Sequence, residues 1–162
     1  MRIRNTDLIE HAIILKPGAK AYRARVPLYT EEEINFGKKL LPKMEEAGLI
    51  FQYDSEWGVR TKFPLKPRAD TLPKKSRLRM VHNFILLNLV TEKSRYPCPK
   101  IEQIVYTVLK NGKRYFFTTD AANLYWAIPV RPGDRAKLGF VTPYGMYCYN
   151  VMGQGLTGDS YV

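Results

Sequence analysis

The sequence has few of the features of a secreted, disulfide-stabilised or membrane-spanning protein. It contains two cysteines, Cys98 and Cys148, and no CxxC pair, so neither a disulfide framework nor a structural zinc site is expected. No apolar run is long enough to cross a bilayer, and the charged N-terminus lacks the apolar stretch of a signal peptide. These absences predict an intracellular protein, cytoplasmic or nuclear, with no membrane partner.

The short motifs of several enzyme classes are absent as well. The sequence has no glycine-rich Walker loop, no HExxH and no GxSxG, and His11 and His82 are too far apart to predict a metal-binding pair. It also lacks internal repeats and low-complexity tracts, while 45% of its residues are apolar, which favours a packed core over disorder. Clues to function therefore lie in the distribution of charge and in the order of the segments.

Positive charge is concentrated in one part of the chain. Residues 60–114 contain 14 Lys and Arg against three acidic residues, which gives 14 − 3 = +11, equal to the net charge of the whole sequence. The remaining residues carry 12 basic and 12 acidic side chains. A cationic segment between neutral flanks indicates a polyanionic partner, such as nucleic acid or nucleotide phosphates. A solvated basic surface is the alternative.

Local signals predict a mixed helix and strand order. Thr30 and Glu33 form a capping box that predicts a helix over residues 31–47, with Gly48 ending it. Pro42 is predicted either to kink this helix or to start a second turn. Ile34, Leu41 and Met44 are predicted to fall on one face of this helix. Residues 59–65 and 78–84 are predicted to pair as a hairpin with a basic tip.

The second half of the chain continues this irregular order. A helix over residues 99–111 is predicted to direct Ile101, Ile104, Val105 and Val108 inward. An aromatic strand over residues 115–119 leads into Asp120. Further strands are predicted at residues 136–142 and 146–151, joined by a turn at residues 143–145. Helices and strands without regular alternation predict an α+β fold.

Four positions could carry chemistry, each with an ordinary structural alternative. Asp120 at the end of an apolar strand could hold a divalent cation or could cap a turn. Tyr125 could stack on a base or sugar or could belong to the core. Arg79 could grip a phosphate or could be a surface residue. The segment Gly153-Gln154-Gly155 could let backbone approach a ligand or could be an ordinary loop.

Seven segments in chain order carry a resemblance to a known family. They are IEH through KPGAKAYRAR (9–25), EAGLI (46–50), SEW (55–57), RMVHNF with LN (79–88), RYPCPKI (95–101), FTTD through YWAI (117–128), and KLGF through VMGQGLT (137–157). In this order they resemble the reverse transcriptase of gypsy-like LTR retrotransposons, particularly fungal ones, and the resemblance covers nearly the whole chain. It implies the fingers and part of the palm of a right-hand polymerase.

The resemblance also implies roles for individual residues. Asp120 would be the first catalytic carboxylate and would bind both Mg²⁺ ions in the palm. Tyr125 would be the steric gate against ribonucleotides. Arg79, together with Lys74 or Lys75, would contact the incoming triphosphate.

The remaining implied contacts concern the nucleotide and the template. Ala121 and Ala122 would offer backbone amides to the triphosphate, and Gln154 would lie in the loop that contacts the incoming nucleotide and the templating base. The implied activity is Mg²⁺-dependent, RNA-directed DNA synthesis from a primer 3′-hydroxyl. The implied partners are an RNA or DNA primer–template and deoxynucleoside triphosphates. A retroelement particle is one implied cytoplasmic location.

Several departures from the family pattern bear on activity. Residues 1–29 are predicted to be a lead-in linker, and residues 30–162 are predicted to form the fingers and N-terminal palm. This second part is predicted to be incomplete, because the aromatic-x-Asp-Asp hairpin of the family does not occur in the sequence. The chain is therefore expected to be inactive alone. Leu124 stands where the family prefers Gly, and Asn83 stands where Asp is usual. A non-catalytic nucleic-acid-binding module and a decayed retroelement remnant are the alternatives.

Overall fold

The predicted α+β architecture is confirmed by the computed structural model. It describes residues 5–67, 69–73, 77–93, 100–110, 112, 115, 117 and 124–156. The helices in these residues are α1 (Glu31–Glu46), α2 (Ile85–Val90) and α3 (Ile101–Lys110), and the strands are β1 (Ile50–Gln52), β2 (Val59–Lys62), β3 (Val81–His82), β4 (Gly139–Thr142) and β5 (Gly145–Tyr149). None of the described helices is long and apolar enough to span a membrane.

Helix α1 begins with the predicted capping box. The Thr30 hydroxyl accepts from the Glu33 amide, and the Glu33 carboxylate accepts from the Thr30 amide, so two otherwise unpaired backbone donors are satisfied. The helix continues through Pro42 to Glu46 and is followed by Gly48 at a positive φ of 72°. Of the three residues predicted to share a face, Leu41 and Met44 are buried and Ile34 is exposed.

The described strands form one mixed sheet in the order β1-β5-β4-β2-β3. Strands β2 and β3 pair antiparallel, which confirms the predicted hairpin, although both strands are shorter than predicted. Strand β2 runs parallel to β4, and β4 pairs antiparallel with β5 across the predicted turn. Residues 136–138 were predicted to begin a strand but belong to a 3-10 helix, Pro132–Leu138, which has proline at its start.

The main core cluster joins α1 and the sheet to α2, to Ile13 and to the segments 128–130 and 151–156. Its fully buried side chains include Leu41 from α1, Ile50 from β1, Phe140 from β4, and Val151 and Met152 beyond β5. Phe140 has no exposed surface, and its ring contacts the rings of His82, Tyr147 and Tyr149. Burying such large apolar side chains is the main favourable contribution to folding.

The segment before α1 contacts the body of the fold along much of its length. The backbone of His11 pairs with Pro129, that of Lys16 with Val90, and that of Ala24 with Gly58. Ile13 is buried in the core. These contacts satisfy backbone groups that an isolated linker would leave to water. The division of the chain at residue 30 stays a prediction.

A buried carboxylate fastens this segment to the 3-10 helix at residues 132–138. Asp134 accepts a hydrogen bond of 3.0 Å from the Ile13 amide and pairs with the Lys137 ammonium, which also donates to the Ile13 carbonyl at 2.8 Å. Burial alone would raise the pKa of Asp134, but the hydrogen bonds and charges of its partners outweigh burial, so its pKa is lowered. The carboxylate therefore holds two distant parts of the chain together.

Two helices differ from the sequence-based predictions. Helix α2 was not predicted; it begins directly after the predicted strand at residues 78–84, and the Asn83 side chain accepts from the Ile85 amide at its start. Helix α3 is confirmed, but its predicted burial is wrong, because Ile101, Ile104 and Val105 are all exposed. The predicted strand at residues 115–119 is contradicted at Tyr115 and Phe117, which are exposed and not in a strand. Its other residues lie outside the described ones.

His82 is a neutral polar residue set into the sheet. Its Nε2 lies 2.9 Å from the Tyr149 hydroxyl, its Nδ1 lies 3.4 Å from the Thr61 hydroxyl, and its ring centroid is 4.4 Å from that of Phe140. Burial lowers the pKa of His82 to about 3, because the imidazolium would lose its hydration among these rings.

Protonation of His82 is expected to destabilise the fold in mild acid. The unfolded chain binds the proton below a pKa of 6.5, and the folded chain binds it only near pH 3, so stability is full above pH 6.5 and falls as the pH decreases. Between pH 7 and pH 5 the free energy of unfolding should decrease by about 2 kcal/mol. Urea unfolding of the chain and of His82→Gln at several pH values measures this.

The His82→Gln variant separates this effect from other titrations. His11, whose pKa burial also lowers, titrates in both proteins, so the difference between the two pH profiles belongs to His82. Equal slopes in the two proteins between pH 7 and pH 5 would contradict the assignment. If the variant does not fold, an imidazole NMR titration showing a pKa near 6.5 for His82 would contradict it as well.

Candidate nucleic-acid interface

One face of the β2–β3 hairpin is cationic. The register Thr61↔His82, Lys62↔Val81 and Leu65↔Leu78 places Pro64 opposite Arg79 and Lys66 opposite Arg77. Side chains alternate between the two faces of a strand, so five basic residues share one face. They are Arg60, Lys62, Lys66, Arg77 and Arg79. We call this surface the cationic face.

The opposite face of the hairpin packs into the molecule. Val59, Thr61, Phe63 and Leu78 are buried, whereas Leu65 near the tip is exposed. The Phe63 ring contacts the rings of Tyr29 and Phe36. Arg60, Lys62 and Arg79 on the other side are exposed, whereas Lys66 and Arg77 are half-buried.

Like charges lie directly across the hairpin from each other. The Lys66 amide donates to the Arg77 carbonyl at 2.7 Å, which places the two cations at neighbouring cross-strand positions. Arg77 Nε donates to the Leu72 carbonyl at 3.0 Å. Like charges in such positions destabilise a sheet, and no ion pair of the described residues neutralises either of them. A bound polyanion would relieve this repulsion.

Arg79 lies near the middle of the cationic face. Its backbone amide donates to the Pro64 carbonyl at 3.0 Å, and its side chain is exposed. The guanidinium is therefore accessible to a phosphate, as the sequence-based role requires.

Helix α2 fixes the loop that contains Gln154. Asn88 Nδ2 donates to the Gly155 carbonyl at 2.8 Å, and a Cβ added to Gly153 would lie 3.2 Å from the Phe84 ring. Gly155 has a positive φ of 87°, a conformation that glycine adopts readily. The exposed Gln154 side chain is thus presented beside the segment that follows Arg79.

Tyr125 and Gln154 lie towards the same end of a short antiparallel pairing. Pro129 pairs with Val151, and the Met152 amide donates to the Ile128 carbonyl at 2.9 Å. In an antiparallel pair, residues before one strand and after the other meet at one end. Tyr125 is half-buried in the 3-10 helix Leu124–Ala127 and packs against the core, which leaves part of its ring accessible.

The other predicted site residues lie outside the described residues. They are Lys74, Lys75, Asp120, Ala121 and Ala122. Within the described part of the chain, no three His, Cys, Asp or Glu side chains form a group that could hold a metal ion. Asp134 is engaged by Ile13 and Lys137, so its carboxylate serves the fold.

Asn88 and Phe84 contact the loop that contains Gln154, and the sequence analysis did not single out either residue. Both lie within the segment 79–88 that carries the family resemblance, and that position was the available signal. Neither a buried phenylalanine nor an amide on a short helix is distinctive alone. Their contacts with the 153–155 loop become visible only once the chain is folded.

The fold is that of a reverse transcriptase. Two crystal structures of the prototype foamy virus protease–reverse transcriptase superpose on this chain, the native protein with a TM-score of 0.72 and a CSH mutant with 0.73. The superpositions cover 95% and 97% of this chain at 16% and 15% sequence identity, and 19% and 20% of the viral chains. The likeness establishes the fold and concerns about one fifth of those enzymes.

Sequence comparison links the chain to retrotransposon polyproteins. The transposon Tf2-3 and Tf2-4 polyproteins of Schizosaccharomyces pombe are each 38% identical to it over 87 residues, which is 53% of this chain and 6% of the polyprotein. The chain thus corresponds to a small part of the curated relatives that it matches. No family model matches the sequence. The predicted resemblance to a retrotransposon pol protein is confirmed.

Proposed function

We propose that this chain forms the fingers and N-terminal palm of a retrotransposon reverse transcriptase. In this role it takes part in RNA-directed DNA synthesis, in which a primer 3′-hydroxyl attacks a deoxynucleoside triphosphate. The observation that carries the proposal is the cationic face of the β2–β3 hairpin, where five basic side chains share one surface without acidic neighbours on those strands. The reverse-transcriptase fold and the Tf2 similarity support it.

The hairpin suits contact with phosphates in two respects. Arginine presents a planar fork of donors that matches phosphate oxygens, so Arg79 would hold the triphosphate in one orientation. Lys74 or Lys75 would add charge from the same loop. Phosphoryl transfer requires positioning and charge neutralisation more than covalent participation of the protein, and these residues supply both.

The palm residues would complete the nucleotide site. Asp120 would hold Mg²⁺, which neutralises the triphosphate and activates the primer hydroxyl. Ala121 and Ala122 would donate backbone amides to the phosphates. Tyr125 would crowd the 2′ position of a ribonucleotide, and Gln154 would contact the nucleotide and the templating base. The loop contacts of Asn88 and Phe84 support this position of Gln154.

A non-catalytic nucleic-acid-binding module is the second candidate. The same cationic face favours it, because phosphate contacts supply affinity without any chemistry. The two candidates differ in one outcome: a reverse transcriptase part supports primer extension when its palm is complete, whereas a binding module does not.

Nucleic-acid binding through the cationic face is expected to depend steeply on salt. Each phosphate contact contributes about −0.9 to the slope of log affinity against log salt concentration for duplex DNA and about −0.7 for a single strand. Lys62→Gln should therefore weaken binding and reduce the slope by about one contact. Fluorescence anisotropy with a labelled primer–template over a salt series measures both quantities.

Lys38→Gln is the matched control for this experiment. Lys38 is an exposed lysine of α1 that lies off the hairpin, so its loss changes the net charge equally without removing a cationic-face contact. Equal slopes for Lys62→Gln and Lys38→Gln would show that binding follows net charge alone. A slope near zero for the unaltered chain would contradict phosphate-dominated binding altogether.

A further inference from the structure

The turn that carries Gln154 has little rigidity of its own. Gln154 lies between Gly153 and Gly155, and glycine has more conformational freedom to lose on folding than any other residue. The buried side chains of Met152 and Leu156 fix the two ends of this segment in the core. Contacts from elsewhere in the fold are therefore needed to hold the exposed Gln154 side chain in one orientation.

Two side chains at α2 supply these contacts. Asn88 Nδ2 donates to the Gly155 carbonyl at 2.8 Å, and the Phe84 ring lies so close to Gly153 that an added Cβ would be 3.2 Å from it. The Asn88 amide also donates to the Phe84 carbonyl at 2.8 Å, so the two side chains are one helical turn apart on the same side of α2. Each therefore contacts one of the two glycines that flank Gln154.

Helix α2 is itself held at both ends. At its start the Asn83 side chain accepts from the Ile85 amide at 3.0 Å. At its end the Lys16 ammonium donates to the Leu89 carbonyl at 2.8 Å, and the Lys16 amide donates to the Val90 carbonyl at 2.8 Å. A helix of six residues needs such tertiary contacts to be stable, and a helix held in this way gives the turn a fixed support.

The same arrangement links the turn to the strand that follows Arg79. The chain runs from Arg79 through β3 into α2, and it runs from β5 into the turn. His82 Nε2 in β3 lies 2.9 Å from the hydroxyl of Tyr149 at the end of β5. The segments that carry Arg79 and Gln154 are thus joined twice, once at this contact and again at the turn. Two joints along one pair of segments restrict the movement of one segment relative to the other.

We infer that Asn88 is a positioning residue, which holds the Gln154 amide in a fixed place relative to Arg79 so that both contact the same incoming nucleotide. This role rests on the proposed function and extends it to a side chain that acts through the Gly155 carbonyl. A turn that is already ordered loses little further freedom when the nucleotide binds, so the hydrogen bond of Asn88 favours nucleotide binding.

Steady-state primer extension by a longer polypeptide, in which this chain is joined to an aromatic-x-Asp-Asp segment and a thumb, tests this role. Asn88→Ala is expected to raise the KM for the deoxynucleoside triphosphate about tenfold, as one lost hydrogen bond does, while kcat changes less than about twofold. Asn88→Asp keeps the shape of the side chain but lacks the donor, so it should raise KM at least as much. A residue that only supported the fold would lower the amount of active enzyme and leave KM unchanged.

The double variant Asn88→Ala with Gln154→Ala shows whether Asn88 acts through Gln154. Once the Gln154 side chain is removed its orientation no longer matters, so the double variant should have the same KM as Gln154→Ala alone. If the two substitutions instead multiply their effects on KM, Asn88 acts elsewhere and the proposal is overturned. Loss of folding in both single Asn88 variants, measured by circular dichroism, would show that Asn88 serves the fold and would overturn it too.

Asn83→Ala is the matched control. It removes a hydrogen bond at the start of α2 but leaves both contacts with the turn in place, so KM should not change. An equal rise of KM in Asn83→Ala would show that any loosening of α2 has this effect, against a specific role of Asn88. If the unaltered longer polypeptide extends no primer, the proposed function fails and this role falls with it. If it extends the primer and Asn88→Ala has an unchanged KM, this role alone is wrong.

Discussion

Asp120→Asn is expected to abolish primer extension by a longer polypeptide in which this chain is joined to an aromatic-x-Asp-Asp segment and a thumb. The amide carries no charge and is a poor ligand for Mg²⁺, a hard cation that prefers charged oxygen donors. Loss of a metal-binding carboxylate should lower the rate by several orders of magnitude, because charge stabilisation by metal ions dominates phosphoryl transfer. Extension of a labelled primer in the presence of Mg²⁺ measures the rate.

Asp54→Asn is the matched control for this experiment. The Asp54 carboxylate is exposed and forms a surface ion pair with Arg23 at 2.7 Å, so its replacement should leave both the fold and the rate nearly unchanged. Full extension by Asp120→Asn would show that the active site is misplaced. The 162-residue chain alone is expected to give no extension, since it contains one of the three implied carboxylates. Robust extension by it would contradict the same assignment.

Gly139→Ala is expected to destabilise the fold by more than about 3 kcal/mol. A Cβ at this position would lie 2.0 Å from the Trp57 carbonyl oxygen and 3.1 Å from its carbon, both of which are backbone atoms. A side chain could turn away, but this backbone is held by the parallel pairing of β2 with β4. Relieving the overlap would therefore separate two strands at the centre of the sheet. Urea unfolding of the variant measures the loss.

Gly133→Ala supplies the comparison. Gly133 lies in the 3-10 helix before β4, and a Cβ there meets no atom within 4 Å. Its substitution should change the free energy of unfolding by no more than about 0.5 kcal/mol. If Gly139→Ala unfolds at the same urea concentration as Gly133→Ala, the close approach of Trp57 to β4 is wrong.

The short-range features of this protein followed from its sequence. The capping box at Thr30 and Glu33 and the glycine at position 48 predict α1 with its correct ends, because capping depends on residues within one or two turns. The two hairpins were found for a similar reason, since each is joined by a local connection. The ordered motifs identified the reverse-transcriptase resemblance without any knowledge of contacts.

Features that depend on residues far apart in the chain required the tertiary structure. The sequence places five basic residues near one another but does not show that they share a face, because that depends on the register between β2 and β3. The docking of residues 11–16 was equally hidden. It depends on Asp134, more than a hundred residues away.

Helix α3 shows that local sequence can specify a helix without specifying whether the helix is buried. Its apolar spacing correctly predicts a helix, because periodicity is a property of the helix itself. The same spacing also suggested burial, and this was wrong for the described chain, because burial needs a partner surface that local sequence does not specify. Helix α2 is the converse case, because it could not be predicted from the sequence and depends on tertiary contacts. Its six residues are too few to show a helical periodicity, and the contacts of Phe84, Leu87 and Asn88 with the rest of the fold stabilise it.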